Sequence, residues 1–69
     1  MKPTSIELWY AGHVWRWHAR SRNGRVLAFG GTYDRRGTAI RYMEIVVAAK
    51  ARRIPVFATG ENGLRKQLY

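Results

Sequence analysis

Trp15-Arg16-Trp17-His18-Ala19-Arg20-Ser21-Arg22-Asn23-Gly24-Arg25-Val26-Leu27-Ala28 is the stretch on which the reading of this chain turns. Bulky and polar residues alternate on either side of an Asn-Gly pair, the pattern of a β-hairpin. Asn and Gly tolerate the positive φ that both centres of a type I′ turn require, and the twist of that turn matches its flanking strands. With Asn23-Gly24 as a two-residue loop, Arg22 faces Arg25, Arg20 faces Leu27 and His18 faces Phe29, all on one side. Trp15, Trp17, Ala19, Ser21, Val26 and Ala28 take the other side, which is aromatic and small and so suited to receiving a helix. The first side shows Arg16, His18, Arg20, Arg22 and Arg25 around Leu27 and Phe29. A loop one residue longer would exchange the sides of the second strand.

Upstream of the hairpin, Ser5-Ile6-Glu7-Leu8-Trp9-Tyr10 alternates with a period of two and reads as a further strand, joined through the turn Ala11-Gly12-His13. Downstream, Gly30-Gly31-Thr32 breaks the strand pattern. Asp34 is placed to cap a helix, its carboxylate accepting an otherwise free backbone N–H. From Arg35 to about Arg53, Ala39, Ile40, Met43, Val46, Val47 and Ala51 recur at spacings of three and four. That spacing predicts one amphipathic helix of about five turns with these residues in the core. Pro55 stops it. Pro55-Val56-Phe57-Ala58-Thr59 predicts a fourth short strand. A second Asn-Gly at 62–63 allows Leu64 to Tyr69 to return as a fifth, a terminal helical turn being the alternative. The expected fold is α+β: a three-stranded antiparallel sheet, one helix, then a C-terminal strand or hairpin.

The totals bound what such a chain can be. Sixty-nine residues form one domain, residues 1–69, whose single core leaves it marginally stable without help. With no Cys, disulfides and thiolate metal sites are excluded, and oligomerisation is the remaining aid. The absence of Cys also fits a cytoplasmic location. No apolar leader follows Lys2-Pro3-Thr4, and the longest apolar run, Ile45 to Ala49, is far below the roughly 20 residues of a membrane helix. No membrane role is expected. Thirteen basic residues, ten of them Arg, against four acids give a net charge of +9. Such an excess raises the expectation of a polyanionic partner, although an Arg-rich solvated surface accounts for charge equally well.

At the level of motifs, the chain resembles the YegP-like family of small uncharacterised domains. Ile6-Glu7-Leu8-Trp9 matches the first strand of the family pattern. Trp15-Arg16-Trp17 with Asn23-Gly24-Arg25-Val26-Leu27-Ala28 matches its hairpin without a gap, and Thr32-Tyr33 matches the entry to its helix through Met43 and Val46. The resemblance covers residues 6–47. It departs at Ala19, Arg25, Arg35 and Arg36, where the family carries Leu or acidic and Ser residues. It implies a sheet completed by two units, and hence half of a homodimer here; no enzymatic activity is established for the family, so the resemblance bears on fold and assembly and not on chemistry. It also assigns Trp15 and Trp17 to the fold; Trp9, Trp15, Trp17 and Tyr33 are expected in the core or at a dimer interface, where strand aromatics are commonly found.

No chemistry-bearing constellation stands out. Glu7, Asp34, Glu44 and Glu61 form no paired-carboxylate motif, and no nucleophile elbow or phosphate loop is present. Ser21, His18 and Asp34 could be drawn as a triad, but Asp34 is better used as a cap. His13, His18 and Glu7 lack metal-ligand spacing. No enzyme, cofactor or metal is expected. Three strands followed by a helix is also the layout of plant AP2-type and integrase N-terminal DNA-binding domains, which set their sheet in the major groove. Arg16, His18, Arg20, Arg22 and Arg25 would then contact phosphates and base edges of DNA or RNA. The alternative is a protein-interaction module of the phage or accessory type, binding a host or cellular protein through Arg and Trp.

Overall fold

The computed structural model describes residues 2–69. Strands β1 (Ser5–Ala11), β2 (Val14–Arg20) and β3 (Val26–Tyr33) precede helices α1 (Arg36–Val47) and α2 (Ala49–Arg52), and β4 (Val56–Thr59) and β5 (Arg65–Gln67) close the chain. All five strands form one sheet in the order β3-β2-β1-β4-β5. The first three make the antiparallel meander expected from the sequence. The sheet nevertheless does not stop at three strands. The helical crossover returns β4 parallel to β1, with Ile6 opposite Val56 and Leu8 opposite Ala58, and β5 folds back on β4. One copy of the chain therefore builds the whole five-stranded mixed sheet.

The helices cover one face of it, α1 lying across β2 and β3. Ile6 and Leu8 of β1, Trp17 and Ala19 of β2, and Val56 and Ala58 of β4 point to that side. They meet Ala39, Met43 and Val47, spaced four apart on α1, with Ala49 and Ile54 beyond. Trp17 fills the centre at 1% exposure. Its indole lies over Gly30, where a Cβ would come within 2.5 Å of Nε1, so a side chain here would force the ring or the backbone to shift. The indole N–H finds no partner. Trp15 and Tyr33 flank the core half-buried, Tyr33 stacking on Tyr42 with centroids 5.3 Å apart.

Several local expectations are corrected. The helix is not continuous: Ala48 adopts the left-handed conformation (φ 55°), ending α1, and α2 starts a new phase. The phase change buries Ala49 and leaves Ala51 exposed, while Val46 lies outward at 62% exposure beside Tyr42 and Ile45. Asp34 does not cap α1. The helix begins a residue later, at an N-cap of Arg35 that makes no side-chain bond. Asn23-Gly24 is not a type I′ turn either, since Gly24 alone takes positive φ (84°) there. The Gly24 N–H donates to the Ser21 carbonyl and the Ser21 N–H to the Arg25 carbonyl, giving a three-residue loop with glycine at its left-handed end. Arg22 and Arg25 therefore lie in and beside the loop and do not form a strand pair.

Gly60 to Leu64 repeats this geometry. The Gly63 N–H donates to Gly60, and the Asn62 side chain accepts the Leu64 N–H at 3.1 Å, as Asn23 accepts that of Arg25. The positive-φ pair belongs instead to Gly12-His13, the two-residue link between β1 and β2. The C-terminus is held in place: the Val56 N–H donates to the Tyr69 carbonyl, the Leu68 N–H donates to the Val56 carbonyl, and the Tyr69 hydroxyl donates to Glu44. Burial, then that hydrogen bond and the Glu44 charge, raise the Tyr69 phenol far above its ordinary value.

Candidate nucleic-acid interface

The face of the sheet opposite the helices carries the residues singled out in the hairpin. Because alternate residues of a strand point to opposite faces, the burial of Trp17 and Ala19 sends Arg16, His18 and Arg20 to the open side. The longer loop would have exchanged the sides of β3. A bulge at Leu27 restores them from Ala28 onward, so Val26 pairs with Arg20 on the open side, against expectation, while His18 still pairs with Phe29. Phe29 consequently stands on the open face at 80% exposure.

Cross-strand pairing aligns these side chains in rows. Phe29, His18, Glu7, Phe57 and Gln67 form one row from β3 to β5, and Arg16, Trp9, Thr59 and Arg65 form the next. Trp9 is thus not a core residue. It lies half-buried on the open face with its ring 4.9 Å from the His18 imidazole. The stem of Arg16 runs over Gly31, and a shallow depression lies between Trp9, His18 and Phe29. Burial first, then the Arg20 charge, hold the His18 imidazole below its ordinary range, with Glu7 opposing them.

Phe57 and Arg65 escaped the sequence reading as site residues. The signal lay in β4, where buried Val56 and Ala58 alternate with Phe57 and Thr59. Parallel pairing with β1 then sets Phe57 beside Glu7, and β5 lays the Arg65 guanidinium 3.7 Å from the Phe57 ring centre. Arg65 Nε donates to Glu7 Oε1 at 3.0 Å. This is the one ion pair among the described residues. Glu7, the sole acid on this face, is therefore occupied, while Arg16, Arg20, Arg22 and Arg25 are exposed and free of acid partners.

Among the described residues, no three His, Cys, Asp or Glu side chains gather closely enough to hold a metal ion, and no helix is long and apolar enough to cross a membrane. No family model matches the chain, nor does any curated protein or solved structure.

Proposed function

We propose that the chain is a small non-catalytic binding protein whose partner is nucleic acid, held through Arg16, His18, Arg20, Arg22 and Arg25. The observation that carries this reading is the arrangement of the uncovered sheet face: basic side chains and aromatic rings share it, and its one carboxylate is already bonded to Arg65. Exposed arginines that neutralise phosphates release counterions, which gives affinity that falls with salt. The test is binding of mixed-sequence duplex and single-stranded DNA and RNA across a salt series. Arg20→Ala with Arg22→Ala should weaken binding and flatten its salt dependence more than Arg41→Ala with Lys50→Ala on the helical side. Equal losses would remove the hairpin from the site, and no binding at low salt would overturn the reading in favour of a protein partner in the cell.

The kinship with YegP-like domains, a cytoplasmic location and assembly as a homodimer belong to the same proposal. A second copy has an apolar surface to meet in Tyr42, Ile45 and Val46, all exposed on α1. Two chains of charge +9 repel each other, so dimerisation across this surface strengthens with salt while nucleic-acid binding weakens. Sedimentation over the same salt series separates the two surfaces.

A further inference from the structure

We infer that the open sheet face is a stacking platform for single-stranded nucleic acid, with Phe29, the Trp9–His18 pair and the Arg65-capped Phe57 as its base-receiving surfaces. The inference rests on the nucleic-acid reading above and narrows it.

Width is the first argument. Five strands at the ordinary spacing of about 4.8 Å make a sheet about 19 Å across. The major groove of duplex DNA is about 12 Å wide, which suits a helix or a two-stranded ribbon. β4 and β5, paired into the same sheet as the meander, make the face too wide to enter such a groove as a two-stranded ribbon does. An extended single strand has no such restriction.

Ring placement is the second. Phe29 has no packing role that the fold requires, since its side chain is 80% exposed on the face away from the core. Trp9 lies two strands from Phe29 and two residues along, about 12 Å at ideal spacings, and one strand and two residues from Phe57, about 8 Å. Both steps exceed the roughly 3.4 Å rise of stacked nucleotides, so the rings suit a strand whose bases are splayed apart, as in single-strand recognition on aromatic and guanidinium planes. The Phe57 ring is already covered by the Arg65 guanidinium. A base at that end therefore stacks on the guanidinium, as bases also do on arginine.

Charge is the third. Arg16 and Arg20 border the rings, and the one acid of the face is paired, so a phosphate backbone crossing the rows meets net positive charge.

Fluorescence anisotropy with labelled mixed-sequence 12-nucleotide DNA and RNA strands, and with the corresponding blunt duplex, tests this. Single strands should bind more tightly than the duplex. Phe29→Ala, at an exposed position, should lower single-strand affinity roughly 5- to 150-fold, the range of one lost stacking contact. It should leave the slope against the logarithm of salt unchanged, because no charge is removed. Arg16→Ala should lower that slope. Duplex bound as tightly as single strands, or Phe29→Ala without effect in a chain that still binds, overturns the platform and leaves the nucleic-acid reading standing. Failure of every nucleic acid to bind at low salt overturns both.

Discussion

The two faces of the sheet are written in alternate letters of the same strands, and both are rich in apolar side chains. On the helix side, Leu8, Trp17 and Ala58 lie in register and are buried under α1 and α2. On the other side, Glu7, His18, Phe29 and Phe57 lie in register, and apart from the Arg65 side chain over Glu7 and Phe57 no element of the chain packs onto them. Trp17 and Phe29 make the contrast sharpest. They sit on adjacent strands at 1% and 80% exposure. One is required by the hydrophobic effect within the monomer, whereas the other is not, and that difference is what gives Phe29 value as evidence about a partner.

The strongest way to break the comparison is to truncate both rings. Trp17→Ala empties the centre of a small core and should cost about 3–5 kcal/mol, enough to leave the isolated domain largely unfolded. Phe29→Ala should change stability by no more than about 0.5 kcal/mol, as for an exposed site without special features. Urea titration followed by circular dichroism reads both values. A cost above about 1 kcal/mol at Phe29 would mean that the open face is buried in the free protein, as it would be if a second copy covered it.

A smaller effect sharpens the inner face. Gly30→Ala sets a methyl group within 2.5 Å of the Trp17 indole and within 3.0 Å of the Tyr33 hydroxyl. Tryptophan is rigid and fully packed here, so the backbone or the ring must shift, at about 1–3 kcal/mol. Gly30→Ala should lower the urea midpoint accordingly without altering nucleic-acid affinity, since the added methyl points away from the open face. Loss of affinity in a variant of unchanged stability would mean that the two faces are not separate.

How much of this could be read beforehand depended on the range of the interactions involved. The meander was legible because period-two alternation is a local property, and Trp17, Ala19, Ile6 and Leu8 obey it. The Asn-Gly pairs were legible as turns but not as turn types. At both, the Asn carbonyl oxygen accepts the N–H two residues on, and glycine alone takes the left-handed place. Neither the resulting extra loop residue nor the bulge at Leu27 that offsets it shows in the letters, yet together they keep His18 opposite Phe29. The break at Ala48 was hidden for a different reason. Alanine is the strongest helix former, so nothing in the letters marks Ala48 as left-handed, although the break there goes with the burial of Ala49 and Ile54 in the core. Phe57 and Arg65 were missed because their place depends on a parallel pairing across some fifty residues of chain, which no local pattern encodes.

The smallest effect distinguishes the faces by sign. His18 is surrounded by Arg16 and Arg20 on its own strand, Glu7 and Trp9 from β1 and Phe29 from β3, with Arg65 beyond Glu7. Its value in the folded chain lies below the ordinary 6.5, through burial and then the Arg20 charge. As the pH falls, the unfolded chain takes up this proton before the folded one, so stability from His18 is complete above about 6.5 and is lost as the pH falls through the folded value. Melting temperature should therefore decline between pH 7.5 and 5.5, and His18→Gln should flatten the decline. Phosphates on the open face act in the opposite direction. They favour the imidazolium beside Arg20, so single-strand affinity should rise over the same interval, with proton uptake measurable by calorimetry in two buffers of different ionisation heat. His18→Gln should abolish that uptake. If wild type and variant bind with the same pH dependence while their melting profiles differ, the imidazole belongs to the fold alone, and the nucleic acid must cross the sheet elsewhere.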